Sequence, residues 1–317
     1  PLAGVSIVID NISRMDELHD LTGTFYAANR YENIAVETEA ATAEVARTIG
    51  TALMKRAEQY YSSEMYSPTG TSLDDILVRM IRLPVACLAM RRYFQQNIVS
   101  HEDSGLKLKV GDDEKVPWEW MFDRDDRALQ EKYYRSLDAL YDFLEDNDVP
   151  EWTASPLHEA VQEAIVHGMT DFERVYPIDH SYYTYFMLLP LIVEMQEAKL
   201  RPVLKERWNT IVSGENRAVL RLAQRYVILL AMVTAVERWS LEVFPQAIAR
   251  RFAPSYQGNR ESMAATTAEM EWFVKSLQRQ AADALQDMIT AINQEEHPYE
   301  HYPLLPDNDK RNKFFTA

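Results

Sequence analysis

The sequence predicts an all-α protein made of two pseudo-repeated helical bundles, with a small β-strand or hairpin insertion near residues 104–116. Glycine is scarce, at nine of 317 residues, whereas strand-rich folds need glycine for turns with positive φ. Apolar residues recur every three or four positions over several long segments, which is the period of an amphipathic helix. A weak internal repeat over about half the chain favours two related bundles.

In the first half, apolar periodicity predicts a helix over 36–61, after an N-terminal arm that we expect to be only partly ordered. Ser72 precedes two aspartates, and a serine cap followed by carboxylates is typical of a helix start. This helix is expected to run to about Val99, with a kink at Pro84. The strand is predicted at Leu106–Val110, which alternates with period two before a Gly-Asp-Asp turn.

In the second half, a helix over about 122–145 ends before the sequence Asn-Asp-Val-Pro at 147–150, the best candidate for a boundary. Ser155-Pro156 predicts the next helix start, and long apolar helices follow near 181–200, 217–244 and 261–293. Three prolines in the last 23 residues predict an extended tail. We therefore expect four parts: the arm at 1–35, helical halves at 36–148 and 149–294, and the tail at 295–317.

The internal repeat is carried by two pairs of segments in the same order. Asp138–Leu144 matches Asp283–Ile289, and the apolar segment Ile76–Met90 matches Val219–Val233. The preserved order favours duplication over chance similarity between helices. Each half is then expected to be a bundle of three or four helices.

Charge and composition exclude several classes of protein. The net charge of −16 disfavours sequence-specific nucleic-acid binding, because such a surface repels phosphates. A single cysteine, Cys87, gives no internal disulfide and is expected in the core. The longest apolar candidate, Phe186–Met195, is too short to cross a bilayer, so we predict a soluble, intracellular chain without membrane contact.

Catalytic and metal-binding motifs are not recognisable in the sequence. His297 and His301 have the spacing of a helical zinc pair, but Pro298 lies between them. No nucleophile elbow, glycine-rich phosphate loop or calcium loop is present. We therefore predict no catalytic, cofactor or metal site.

Three aromatic groups are instead candidates for a subunit interface. Runs of consecutive aromatic residues cannot all face one core, so some of them are expected to contact another chain. The alternative, that the first two groups close the ends of the bundles, is also open. The candidates are Trp118, Trp120 and Phe122 before the predicted helix at 122, Tyr182 and Tyr183, and Phe314 and Phe315 in the tail.

Several short segments follow one another in a recognisable order, at 110–115, 142–147, 151–155, 171–172, 178–181, 186–189 and 192–204. Their order resembles a family of uncharacterised helical proteins encoded among virion genes in phages and prophages of Bacteroides-type bacteria. The resemblance covers most of residues 40–290 and defines no functional residues. It implies a virion component similar to the head–tail connectors, or adaptors, of tailed phages, which form rings between portal and tail.

We therefore expect a non-enzymatic structural protein of the virion, assembled in the bacterial host cytoplasm as a homo-oligomeric ring. Its expected partners are other copies of itself and the portal and tail proteins, with arms at 1–13 and 295–317 docking on adjacent chains. Two alternatives stay open. One is a helical scaffold of another intracellular machine, such as a phage-like injection particle; the other is an enzyme whose site is assembled from dispersed Glu, Asp, Tyr and His side chains.

Overall fold

The computed structural model describes residues 18, 20–23, 34–97, 99–102, 105–108, 119–238 and 267–296. Helices dominate these residues, so the all-α class is confirmed. The predicted arm at 1–13 and the tail beyond 296 lie outside the described residues.

The first group of helices is centred on a long apolar helix that runs through Pro84 without interruption. Ser72 caps it, since its hydroxyl accepts a hydrogen bond from the Asp75 amide at 3.1 Å. The single helix predicted over 36–61 is wrong in one detail: Gly50, with φ of 96°, separates two helices. The four helices are α1 (Ala35–Ile49), α2 (Thr51–Tyr61), α3 (Leu73–Asn97) and α4 (Glu119–Asp146).

Two short strands connect α3 to α4. They are β1 (Val99–Glu102) and β2 (Gly105–Leu108), paired antiparallel with Val99 opposite Leu108. Strand β2 overlaps the first three residues of the strand predicted at Leu106–Val110. Residues 109–118, which contain most of the remaining predicted insertion, lie outside the described residues, so the extent of the insertion stays a prediction.

The second group contains, among the described residues, three long helices and five short ones. Ser155 caps one of them as the sequence predicts, and Ser181 caps another. Their hydroxyls accept hydrogen bonds from the amides of His158 and Thr184, both at 3.2 Å. A π-helical turn, Gln196–Leu200, directly follows the helix that Ser181 caps. The helices are α5 (Pro150–Thr153), α6 (Pro156–Glu163), α7 (Met169–Glu173), α8 (Tyr182–Met195), α9 (Arg201–Leu204), α10 (Trp208–Val212), α11 (Arg217–Arg238) and α12 (Thr267–Glu296).

The buried apolar side chains form two clusters. The first runs from Leu18 to Trp152 and is centred on α3, which packs against α1, α2 and α4. The second runs from Val161 to Ile292 and is centred on α11, which packs against α8 and α12. Helix α4 also contacts α8, and this contact joins the two clusters.

Charged side chains at the cluster surfaces tie neighbouring helices together. Arg91 of α3 makes a two-pronged contact with Asp126 of α4, at 2.8 and 2.9 Å. Arg238 at the end of α11 binds both oxygens of Glu194 on α8, at 2.6 and 2.7 Å. Such bidentate pairs fix the angle between helices more effectively than single contacts do.

Within the described residues, α11 is the one helix long and apolar enough to cross a membrane. The sequence-based estimate, which named Phe186–Met195 as the nearest candidate, overlooked it. About two thirds of its most apolar window is buried inside the protein, against α8 and α12. This burial is what the central helix of a bundle requires, so the apolarity of α11 is explained by its core position.

Candidate functional site

The structure describes only part of the predicted interface. Trp118, Phe314 and Phe315 lie outside the described residues. Trp120 and Phe122 lie on the first turn of α4, where only the backbone is described. Tyr182 and Tyr183 are fully described, in the first turn of α8.

Both tyrosines lie where the two apolar clusters meet, in a set of rings that we call the aromatic junction. Tyr183 stacks on Tyr134 of α4, with ring centroids 4.8 Å apart. Phe186, one turn further along α8, contacts Tyr141 edge-on at 4.7 Å. Tyr182 and Phe186 pack against both clusters, so these rings hold the two groups of helices together. The junction consists of Tyr134, Tyr141, Trp152, Tyr182, Tyr183 and Phe186.

A buried carboxylate lies beside the aromatic junction. Asp138 of α4 is 7% exposed and accepts hydrogen bonds from the Tyr183 amide at 3.1 Å and the Ser181 hydroxyl at 3.4 Å. It therefore caps the N-terminus of α8 from a neighbouring helix. Burial outweighs these hydrogen bonds and raises the pKa of Asp138 to about 6.

The loop that leads into α8 is strained. Asp179 and His180 are consecutive non-glycine residues with φ of 57° and 53°. Arg135 of α4 holds the Asp179 carboxylate at 2.6 Å, and Glu173 accepts from the His180 amide at 2.7 Å. The strain is held in place by contacts from both sides of the loop, which fixes where α8 begins.

A second set of polar groups secures the buried backbone between α6 and α7. The side-chain oxygen of Gln196, in the π-helical turn, accepts from the Ile165 amide at 2.6 Å. Gln224 of α11 donates to the Ile165 carbonyl at 3.0 Å. The Tyr185 hydroxyl donates to the Val166 carbonyl at 2.7 Å. These side chains replace the helical hydrogen bonds that an irregular segment lacks.

Burial stabilises the neutral form of one thiol and of several phenols in the two clusters. Burial raises the pKa of the Cys87 thiol to about 11 and that of the Tyr183 phenol to about 12. Desolvation also raises the pKa of Tyr141 and Tyr185 above the usual range. The described residues contain no group of three or more potential metal ligands.

Five large apolar side chains are exposed in the described part of the chain, and the aromatic one among them was not singled out by the sequence analysis. The Trp272 side chain on α12 is 70% exposed. The buried positions of this helix include Leu277, Ala281 and Ala284, and Trp272 lies off the face that they define. A helical wheel of α12 would have identified Trp272, because it places this tryptophan among polar residues and away from the buried positions.

Comparison with known proteins gives one match. A family of unknown function (DUF6712) matches residues 45–159, from α1 to α6. The matched segment covers less than half of the chain and includes most of the first apolar cluster. No curated protein and no solved structure matches.

Proposed function

We propose that this protein is a non-enzymatic structural component of a phage or prophage virion, a head–tail connector that assembles into a homo-oligomeric ring. The observation that carries the assembly part of this proposal is the exposure of Trp272. Tryptophan is enriched among the residues that dominate binding energy at protein interfaces. The virion setting is supported by the resemblance to phage-encoded helical proteins, with portal and tail proteins as the further partners.

The surroundings of Trp272 fit an interface between copies of the chain. Glu271 and Lys275 flank it on the same helix and form an exposed ion pair at 3.7 Å. An apolar centre with a charged rim is the usual anatomy of a non-obligate interface. The net charge of −16 also fits a connector, because a negatively charged ring lumen repels phosphates and lets DNA pass through without binding.

Substitution of Trp272 tests this interface. Trp272→Ala is expected to weaken self-association of the full chain at least tenfold, because truncation of an interface hot spot costs about 2 kcal/mol or more. Sedimentation velocity over a range of concentrations measures the change. Gln278→Ala, an exposed residue on the same helix, is the matched control and should associate like the wild type.

An unchanged association constant in Trp272→Ala would remove Trp272 from the interface. The tail variant with Phe314 and Phe315 both replaced by alanine then tests the other predicted contact. If Trp272→Ala and the tail variant both associate like the wild type, these two proposed contacts are wrong.

We also infer that the two groups of helices arose by internal duplication and correspond to halves at 36–148 and 149–294. Both central helices, α3 and α11, pair with a long partner, α4 and α12 respectively. Each central helix also contains a buried polar residue after its first buried apolar residues. This residue is Arg82 in α3 and Gln224 in α11. These parallels support a common plan.

The burial pattern requires a different register from the sequence match. The sequence match pairs Asp138 with Asp283, yet Asp138 is buried and Asp283 is exposed. The buried faces superpose when α12 is shifted by one position, which pairs Leu137 with Ala281 and Leu144 with Met288. The proposed duplication therefore rests on the order and burial of helices rather than on identical residues.

A further inference from the structure

Two aspartates are buried in the described part of the chain, and their settings are opposite. Asp75 accepts hydrogen bonds from the Ser72 hydroxyl at 2.5 Å and the Ser67 amide at 2.8 Å, and these bonds hold its pKa below the usual value. Asp138 has longer contacts, at 3.1 and 3.4 Å, and burial dominates. Asp75 is therefore stabilised as an anion, whereas the surroundings of Asp138 favour the neutral acid.

Asp138 also differs from Asp75 in what it connects. Asp75, in the first turn of α3, binds Ser67 and Ser72 in the loop before that helix and the Tyr60 hydroxyl of α2, so its partners all lie within the first group of helices. Asp138 lies on α4, which belongs to the first apolar cluster, and its hydrogen-bond donors lie at the start of α8, which belongs to the second. Its protonation state therefore acts on the contact between the two groups of helices.

The charged neighbours of Asp138 do not cancel the cost of its burial. On its own helix, Arg135 favours the anion, but this guanidinium is engaged by Asp179 at 2.6 Å in the loop before α8. The Tyr141 phenol also interacts with Asp138 and is neutral. The other ionisable groups around this contact lie on α1, α4, α7 and the loop before α8. Glu44 of α1 interacts with Tyr183 and is paired with Arg92 of α3, and Glu173 of α7 is paired with His180 of the loop. On α4, Asp142, Glu145 and Asp146 interact with Tyr182.

We propose that the contact between α4 and the start of α8 is a proton-controlled latch, closed when Asp138 is protonated and loosened when its carboxylate is ionised. A neutral acid keeps one oxygen as acceptor for the Tyr183 amide without the cost of a buried charge. The ionised form regains its hydration if the first turn of α8 separates from α4. The strained loop at Asp179 and His180 is the segment that accommodates this opening.

The sign of the pH dependence follows from the direction of the shift. An aspartate in the open state has a pKa near 4, and closure of the latch raises the pKa of Asp138 to about 6. Closure therefore takes up a proton. The stabilisation of the closed latch is complete below about pH 4 and is lost as the pH rises through about 6. This inference concerns the fold and does not rest on the proposed role in assembly.

Amide hydrogen exchange of the full chain at pH 5 and pH 7.5, corrected for intrinsic rates, tests the latch. The amides of Tyr183, Thr184 and Tyr185 are expected to lose protection by up to about tenfold between pH 5 and pH 7.5. Amides in the middle of α11 serve as the internal reference. Asp138→Asn mimics the neutral acid, so its α8 protection is expected to be high at both pH values.

Asp126→Asn is the matched control. It also removes a carboxylate of α4, but this carboxylate pairs with Arg91 of α3 and not with a residue of α8. Its α8 profile should follow the wild type. A wild-type profile without pH dependence would overturn the latch, and so would an Asp138→Asn variant that keeps the wild-type profile. A variant Asp138→Asn that fails to fold would also overturn it, since the latch requires the neutral side chain to be accepted.

Discussion

Replacing Trp152 by alanine is expected to lower the free energy of unfolding by about 3–5 kcal/mol, the usual cost of removing a large buried aromatic side chain. Trp152 is fully buried, and its ring lies 5.7 Å from Tyr141 and 6.1 Å from Phe186. The substitution also removes the hydrogen bond from its indole nitrogen to Glu145, at 3.0 Å. Urea denaturation followed by circular dichroism measures the loss.

Trp272→Ala is the matched control for stability, since it makes the same chemical change at a side chain that is 70% exposed. Its effect is expected to stay within about 0.5 kcal/mol, the usual range for surface positions. A Trp152→Ala variant as stable as this control would contradict the placement of Trp152 in the core between α4 and α8.

Gln196→Leu is expected to destabilise the protein by about 1–3 kcal/mol, because it leaves a buried backbone donor without its acceptor. The Gln196 side chain accepts from the Ile165 amide at 2.6 Å and donates to the Glu163 carbonyl at 3.1 Å. Leucine keeps the apolar volume and makes neither bond. Denaturation in urea gives the stability, and exchange of the Ile165 amide, expected to be faster, locates the loss.

Gln278→Leu, on the exposed face of α12, is the control for this change. It should alter the stability by less than about 0.5 kcal/mol. Equal stability losses in the two variants would show that the loss reflects the exchange of glutamine for leucine rather than the buried contact with Ile165.

Local sequence signals predict the helices and their caps well. Ser72 and Ser155 each precede a helix and each cap it as expected, because capping depends on residues within one turn. The interruption at Gly50 was not predicted, although a glycine in a helical pattern is a known signal for one. The irregular segment between α6 and α7 depends on Gln196 and Gln224. These residues are distant from it along the chain, so no local pattern shows how its buried backbone is satisfied.

The candidate site depends on contacts that no local pattern contains. The run of aromatic residues at Tyr182 and Tyr183 drew attention to the start of α8, and the structure places both rings against α4. Their predicted role in a subunit interface stays a prediction. Asp138 was noticed only as part of a repeat, because its burial depends on how α8 packs across α4. Trp272 is the exception, because the apolar periodicity of α12 alone places it away from the buried positions.

The central claim is that the chain forms a closed homo-oligomer, and the native mass measured by light scattering at several concentrations tests it most directly. The account predicts a discrete multiple of 36.7 kDa that stops increasing with concentration, because closed rings have a fixed number of subunits. A mass of 36.7 kDa at every concentration would contradict it.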